Sequence, residues 1–360
     1  MTDARVWVPD VLGDGFEQTT LELGPAPDGP AVATLVRHVP SAPPGGRPRA
    51  AMLYVHGFND YFFQRHLAER ATAEGYAFHA LDLRRCGRSW RPGQLPHHVT
   101  DLTEYVPELT AAARLLRTEA GHERLVVMAH STGGLTASLW AHSLRRAGVV
   151  DALVLDSPWF DLDARWFRRV VSTRVLDVVG PLDPLRVVAD GPSAYSHHLH
   201  VDHGGRWAYD LTLKPPEGFP VRAGWLRAVR RGQARLARGL RIAAPVLVAT
   251  SARSGPNRLD NPDLDRQDTV LDVRQIAARA PLLGPDVTLL QVDDGIHDLA
   301  LSAPEPRERY LSQTFAWLAD ALEPRPDPPP STRTSTLTST VTSTRTSTLT
   351  STAQVPGSHP

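Results

Sequence analysis

Short apolar runs alternate with longer amphipathic stretches along most of this chain, and this alternation limits the fold more than any other feature of the sequence. Strands that alternate with helices along a chain predict a mostly parallel sheet covered by helices. The runs therefore predict an α/β fold, with a mostly parallel eight-stranded sheet and helices on both faces. The predicted strands are Thr19–Leu23, Val32–Val39, Ala51–Val55, Phe78–Leu83, Leu125–Met128, Ala152–Leu155, Val246–Ala249 and Val287–Val292.

One connection is much longer than the others. About ninety residues separate the run that ends near Asp156 from the run that begins at Val246, and a connection of that length in a compact domain needs structure of its own. We interpret it as a cap inserted over the sheet. The predicted division is a first part of the core over residues 1–157, an inserted cap over 158–240 and a second part of the core over 241–324.

The remaining residues, 325–360, consist mostly of Pro, Ser and Thr. The string STRTSTLTST occurs at Ser331–Thr340 and again at Ser343–Thr352. A segment with so few apolar side chains cannot bury enough surface to offset its conformational entropy. It is predicted to be a disordered tail.

Charge and cysteine content restrict the class of protein. The charges of the 39 basic and 39 acidic residues cancel, whereas proteins that bind nucleic acids usually carry an excess of basic residues. The single cysteine, Cys86, cannot form an intramolecular disulfide. Neither a signal-like start nor an apolar run long enough for a membrane span occurs. We expect a cytoplasmic protein without a nucleic-acid partner, and we attribute the presence of only one lysine, Lys214, to nucleotide composition.

The segment Ala129-His130-Ser131-Thr132-Gly133-Gly134 lies between a predicted strand and a predicted helix. A serine on such a turn projects its hydroxyl from the carboxyl edge of the sheet, and the residues on either side must be small because strand and helix crowd together. This is the pattern of a nucleophile elbow, with Ala129 in place of the first glycine. Ser131 is the candidate nucleophile.

A serine hydroxyl needs a base, and the base needs a carboxylate that orients it. His297 follows the last predicted strand, which is where the base lies in folds with this elbow, and it is the candidate base. The carboxylate is expected from the loop after Val246–Ala249. Asp268 is preferred because it precedes the next helical pattern, and Asp272 is the alternative. The other aspartates of this loop are Asp260, Asp263 and Asp265.

Ester cleavage also requires N–H donors for the oxyanion. The candidate donors are the backbone N–H of Thr132, which follows the nucleophile, and that of Phe58. Phe58 lies in His56-Gly57-Phe58-Asn59-Asp60, the loop after the third predicted strand.

Together these motifs resemble the α/β-hydrolases of the monoacylglycerol-lipase and serine-aminopeptidase-like branch. Besides the elbow and the His56-Gly57 loop, the resemblance rests on Asp82-Leu83-Arg84-Arg85-Cys86-Gly87-Arg88-Ser89 and on the order Ser, Asp, His, and it covers residues 50 to 322. Arg85 stands where the branch usually has glycine. The resemblance implies a serine hydrolase that acts on small-molecule acyl esters, such as monoacylglycerols, without a cofactor.

Other functions remain open at this point. The same triad serves aminopeptidases, for which Asp161, Asp163 or Asp202 could hold a free amino terminus, and acyltransferases; a silent ligand-binding protein is a further alternative. The string His198-Leu199-His200-Val201-Asp202-His203 has the spacing of a zinc site. It lies in the predicted cap, and we expect a polar surface loop there and no metal.

Overall fold

The computed structural model describes residues 5–41, 46–162, 180–191, 193–323 and 333–338. These residues form twelve strands and seven α-helices. The strands are β1 (Val8–Pro9), β2 (Phe16–Ala26), β3 (Gly29–His38), β4 (Ala51–Val55), β5 (Ala77–Asp82), β6 (Leu125–His130), β7 (Ala152–Asp156), β8 (Val187–Ala189), β9 (Val221–Arg222), β10 (Val246–Ser251), β11 (Asp286–Val292) and β12 (Arg333–Thr338).

The helices cover both faces of the sheet. They are α1 (Arg65–Ala73), α2 (Val106–Arg114), α3 (Ser131–Ser143), α4 (Ala194–Leu199), α5 (Ala223–Ala237), α6 (Val273–Arg279) and α7 (Pro304–Ala321). Short 3-10 turns occur at Gly87–Ser89, Leu102–Tyr105, Val201–His203, Ala280–Leu282 and Leu299–Leu301, and a π-helical turn at Leu115–Glu119 extends α2. Among the described residues, no helix combines the length and hydrophobicity needed to cross a bilayer.

The main sheet has the order β1-β2-β3-β5-β4-β6-β7-β10-β11-β12. Strands β1, β2, β3 and β5 pair in antiparallel fashion, and all pairs from β5 through β12 are parallel. The α/β fold class and the mostly parallel sheet are confirmed. The carboxyl ends of the parallel strands meet at one edge, which is where open α/β sheets place their sites.

The predicted number of strands was wrong, because the described sheet has ten strands rather than eight. The additional strands are the two outermost, β1 and β12. β1 has only two residues, too few to show an alternating pattern. β12 lies in the segment predicted to be disordered, and its six residues pair with β11 from Asp286↔Arg333 to Gln291↔Thr338. Threonine favours strands, and the edge of β11 offers backbone groups to a further strand.

Alternate residues of the central strands face opposite sides of the sheet. In β4, Leu53 packs on the side of α2, α3 and α6, whereas Met52 and Tyr54 pack on the side of α1 and α7. All five residues of β4 are buried, as are those of β6 and β7. Strands covered on both faces lose the alternation of polar and apolar residues, which explains the continuous apolar runs in the sequence.

Strands β8 and β9 and helices α4 and α5 lie between β7 and β10, and β8 and β9 form a separate two-stranded antiparallel sheet. We call residues 157–245 the inserted segment. Parts of the predicted cap, residues 163–179 and residue 192, lie outside the described residues.

Candidate active site

Ser131 occupies a tight turn between β6 and α3. Its φ is +52°, in the left-handed region that side chains other than glycine rarely adopt. The turn also brings α3 against the end of β4, where a Cβ added at Gly133 would lie 2.2 Å from the carbonyl oxygen of His56. Only glycine fits this position. The strand–turn–helix geometry expected of the elbow is present.

The structure brings Ser131, His297 and Asp268 together. Ser131 Oγ donates to His297 Nε2 at 3.1 Å, and His297 Nδ1 donates to Asp268 Oδ2 at 2.9 Å. The imidazole proton lies on Nδ1 because a carboxylate accepts there, which leaves Nε2 free to accept from the serine. All three side chains are buried, and Asp268 is fully so. The arrangement can carry a proton from the serine to the imidazole.

The two candidate carboxylates occupy different environments. Asp268 Oδ1 accepts the N–H groups of Val270 and Leu271, both at 2.8 Å, and these bonds orient Oδ2 towards His297. Asp272 is the N-cap of α6, where it accepts from the backbone N–H of Arg274 and also pairs with the guanidinium of that residue. The structure therefore brings Asp268 to the histidine and leaves Asp272 at the helix start.

The candidate oxyanion donors lie on either side of Ser131. Thr132 is the second residue of α3, and the first N–H groups of a helix have no acceptor within it. Phe58 lies in the loop after β4, residues 56–61, which we call the β4 loop. Within it His56 donates from Nδ1 to the Gly57 carbonyl at 2.7 Å and accepts the Leu83 N–H at Nε2. Phe58 and Thr132 line one cavity with Ser131.

Comparison with known proteins identifies the family. The model of the family described as serine aminopeptidase, S33, matches residues 46–253, which is more than half of the chain. The chain belongs to this family. A monoacylglycerol lipase of Mycolicibacterium smegmatis is 27% identical over 291 residues, which cover 78% of this chain and 91% of that protein.

Solved structures agree on the fold. A monoacylglycerol lipase from Paleococcus ferrophilus superposes with a TM-score of 0.57 at 20% identity and covers 77% of this chain and 96% of its own. A soluble variant of the Saccharomyces cerevisiae monoglyceride lipase, in complex with a substrate analogue, gives a TM-score of 0.56 at 14% identity and covers 81% and 93%. The chain is an α/β-hydrolase of the monoacylglycerol-lipase-like branch, as the sequence motifs indicated.

The cavity of this α/β-hydrolase has an apolar wall and a polar end. Its volume is about 750 Å³. The apolar wall comprises Trp159, Leu162, Val221, Trp225 and Leu271. We call Asp60, His130, Tyr195 and Lys214 the polar end; other polar residues, among them Ser193, Asn257, Asp272 and Arg274, also line the cavity. A cavity of this size and mixed character accommodates a small organic ligand.

A buried cluster of charges lies at the polar end. Lys214 Nζ donates to Asp60 Oδ1 at 2.5 Å. Burial alone would raise the pKa of Asp60, but the charges of Lys214 and His130 outweigh it and hold that pKa well below the usual range. The pKa of His130 is raised to about 9, because Asp298, Asp60 and Asp156 outweigh the effect of burial. Lys214 and the protonated His130 thus place two positive charges beside the ionised carboxylate of Asp60. Burial and the neighbouring Asp298 instead raise the pKa of Asp156 to about 8.

The same cluster contains the one group of possible metal ligands that the described part of the chain offers. The ligand atoms of Asp60, His130 and Asp298 lie within 4.8 Å of one another. Lys214 and the protonated His130 already place positive charge at this cluster, which disfavours a further cation there.

The histidine-rich string does not form such a group. His198 Nε2 pairs with Asp265 at 2.8 Å, whereas His200 Nε2 contacts the carbonyl oxygen of Tyr209 at 3.2 Å and its Nδ1 accepts the Asp202 N–H. His203 stacks on His197 at 4.0 Å. The side chains of this string point to separate partners.

Sequence reasoning missed the residues that surround the histidine. Tyr195 packs edge-on against the ring of His297 at 5.6 Å, and the ring of His130, the residue before Ser131, lies 4.9 Å from that of His297. The presence of only one lysine was attributed to nucleotide composition, although that lysine, Lys214, lies in the cavity wall and is only 6% exposed. The one signal in the sequence that could have drawn attention to this residue is that it is the single lysine of the chain. Nothing in the sequence pointed to its partner Asp60, which lies 154 positions away.

Proposed function

We propose that this α/β-hydrolase cleaves carboxylic esters of single acyl chains, such as monoacylglycerols, through an acyl-enzyme. The observation that carries the proposal is the continuous hydrogen-bonded chain from Ser131 through His297 to Asp268, on the wall of a half-apolar cavity. The name of the similar lipase of Mycolicibacterium smegmatis supports the substrate class.

The proposed reaction uses these three side chains and two backbone N–H groups. Ser131 Oγ attacks the ester carbonyl while His297 Nε2 takes its proton, and the carbonyl oxygen becomes an oxyanion held by the N–H groups of Phe58 and Thr132. The imidazolium then gives the proton to the departing alkoxide, and the acyl group stays on Ser131. Water then attacks the acyl-enzyme while His297 takes its proton, and the carboxylic acid is released. Asp268 holds the imidazole in its reactive tautomer throughout.

The apolar wall provides the site for the acyl chain. Trp225 and Trp159 lie 5.8 Å apart, and Trp225 also packs against Phe58 at 3.9 Å. Trp159, Leu162, Val221 and Trp225 come from the inserted segment, which supports the proposal that residues 158–240 act as a cap over the site. Burial of each methylene of an acyl chain against such a wall contributes about 0.8 kcal/mol.

Peptide cleavage from a free amino terminus is less well supported. An aminopeptidase needs a carboxylate that is available for the substrate ammonium. Of the cavity carboxylates, Asp60 pairs with Lys214 and Asp272 with Arg274. Of the three candidates from the sequence, Asp161 pairs with Arg279, Asp202 contacts His200, and Asp163 lies outside the described residues.

A substrate panel tests the proposal. Purified protein is assayed with nitrophenyl esters of increasing acyl length, with monoacylglycerols and with aminoacyl nitroanilides, and each substrate is repeated with Ser131→Ala. We expect ester turnover that depends on Ser131 and exceeds turnover of the anilides. Preferential cleavage of anilides with a free α-amino group would instead favour an aminopeptidase, and no turnover of any ester would overturn the proposal.

A further inference from the structure

Three consecutive side chains of the β4 loop contact the inserted segment. These contacts are hydrogen bonds or ion pairs that join Asn59 to Phe219, Asp60 to Lys214 and Tyr61 to Asp210. The β4 loop also contains Phe58, the proposed oxyanion donor. The loop follows strand β4, but its side chains are held by residues of the inserted segment.

Asn59 has the most constrained conformation of the three. Its φ is +54°, and its Oδ1 accepts the backbone N–H of Phe219 at 2.8 Å. Gly218, itself at φ +72°, leaves the space for this contact, since a Cβ there would lie 2.7 Å from Asn59 Nδ2. A left-handed residue other than glycine is retained only where its surroundings compensate the strain. The inserted segment supplies that compensation directly beside Phe58.

Lys214 fixes the next residue. Its ammonium group bonds Asp60 at 2.5 Å and lies over the rings of Phe63 and Tyr209, at 5.0 and 5.6 Å from their centroids. Asp60 is 2% exposed. An ion pair buried this deeply tolerates little displacement, because separating the charges leaves each one desolvated and unpaired.

Tyr61 completes the contact surface. Its hydroxyl accepts the backbone N–H of Asp210 at 2.8 Å, and the side chain is 3% exposed. The ring of Phe58 also packs against the ring of Trp225 of α5, with the centroids 3.9 Å apart and the planes tilted by 33°. Every residue from Phe58 to Tyr61 is thus in contact with residues 210–225.

We propose that residues 210–219 position the Phe58 N–H for oxyanion binding, and that Asn59 and Lys214 are positioning residues for ester hydrolysis. The inference rests on the proposed function, because an oxyanion must form for the donor to matter. Donors act at about 2.7–3.1 Å from the oxyanion, and loss of one typically costs about 10²–10³ in turnover. A loop released from the inserted segment would keep its fold and misplace this donor.

Two variants of Asn59 separate the contact from the backbone strain. Asn59→Gly removes the amide and adopts φ +54° without strain, whereas Asn59→Asp keeps an acceptor oxygen for Phe219. We expect Asn59→Gly to lower kcat by about 10- to 100-fold with KM within about twofold, since the contact acts on the transition state. Asn59→Asp should recover most of the lost kcat.

A tetrahedral inhibitor provides a second measurement. A trifluoromethyl ketone places an oxyanion in the donor site, so its affinity should fall in parallel with kcat in Asn59→Gly. The double variant Asp60→Asn/Lys214→Met removes both charges together, and it should show the same split between kcat and KM. Either variant suffices if the other does not fold.

Trp207→Phe is the matched control. Trp207 Nε1 donates to the Leu301 carbonyl at 2.8 Å and so connects the inserted segment to the core through a hydrogen bond that does not involve the β4 loop. The control should lower the melting temperature and leave kcat unchanged. Equal losses of kcat in Trp207→Phe and Asn59→Gly, or full kcat in Asn59→Gly, would overturn the inference while leaving the esterase proposal intact. Absence of ester turnover in the unaltered protein would instead refute the proposed function.

Discussion

Asp268 and Asp272 show how side-chain contacts separate two carboxylates of the same loop. Asp268 is fully buried and divides its oxygens between two backbone N–H groups and His297. The carboxylate of Asp272 caps the start of α6 and pairs with the guanidinium of Arg274. The first arrangement suits orientation of a base, and the second suits stabilisation of a helix.

Turnover and stability should therefore respond oppositely to two matched substitutions. Asp268→Asn should lower kcat by about four orders of magnitude, because an amide does not hold the reactive tautomer. Asp272→Asn should retain turnover, and Asn still caps a helix, so the lost charge should cost about 0.3–1 kcal/mol of stability. Ester kinetics and thermal unfolding of both variants check this. Loss of turnover only in Asp272→Asn would assign the acid to Asp272.

His130 makes stability depend on pH. Its pKa in the folded protein, about 9, exceeds the unfolded value of 6.5 because of the neighbouring carboxylates of Asp298, Asp60 and Asp156. A group with a raised pKa contributes its full stabilisation below the unfolded pKa and loses it as the pH rises through the folded pKa.

The expected result is a pH-dependent gap between the unaltered protein and His130→Gln. Melting temperatures measured from about pH 6 to about pH 10 should differ most near the acidic end and converge towards the alkaline end, because only the unaltered protein releases this proton. A gap of constant size over the whole range would show that folding does not shift the pKa of His130.

The contact between α3 and the end of β4 is the element-scale feature on which the site depends. Gly133 lets the first turn of α3 approach the carbonyl oxygen of His56, and this approach sets Ser131 beside the β4 loop. At Gly57, a Cβ would lie 3.0 Å from the Cβ of Ser131. The two segments that carry the nucleophile and the proposed donor thus meet backbone to backbone.

Gly133→Ala should consequently lower stability far more than alanine at a glycine that has free space around its Cα. Gly121 has φ +72° and nothing within 4 Å of an added Cβ, so Gly121→Ala should cost about 1–2 kcal/mol of backbone strain. Gly133→Ala must push α3 away from β4, and we expect it to lose both the melting transition and ester turnover. Comparable melting temperatures for the two variants would contradict the close approach.

At this scale the sequence predicted the elements that carry the site, because local rules determine them. The apolar run of β6, the small residues around Ser131 and the helical pattern of α3 are all adjacent in the chain. The next helical pattern was expected directly after Asp268, whereas α6 begins at Val273 with Asp272 as its cap. Helix starts depend on which side chain takes the cap, and both aspartates were eligible.

At the scale of the whole molecule, prediction from sequence failed where distant segments meet. The pairing of Asp60 with Lys214 and the contact of Asn59 with Phe219 join residues far apart in the chain, and no periodicity encodes them. The pairing of β12 with β11 depends on a free sheet edge rather than on the composition of the tail. The strands of the central sheet were predictable because each is an apolar run in the sequence, and most are followed by a helical pattern.

The proposed reaction requires that Ser131 be activated as a nucleophile. Among the described residues, Ser131 is the serine whose hydroxyl bonds a histidine that is itself bonded to a carboxylate. Other buried hydroxyls, such as those of Ser89 and Ser138, bond backbone carbonyl oxygens. Only the first arrangement removes the hydroxyl proton during attack.

The most direct test is reaction of the full-length protein with a fluorophosphonate at neutral pH, followed by intact-mass measurement and mapping of the labelled peptide. We predict one adduct per chain, located on Ser131, with loss of ester turnover in proportion to labelling. Ser131→Ala, folded as judged by its melting transition, should remain unlabelled. An adduct on another serine, or equal labelling of Ser131→Ala, would contradict the assignment of Ser131 as the nucleophile.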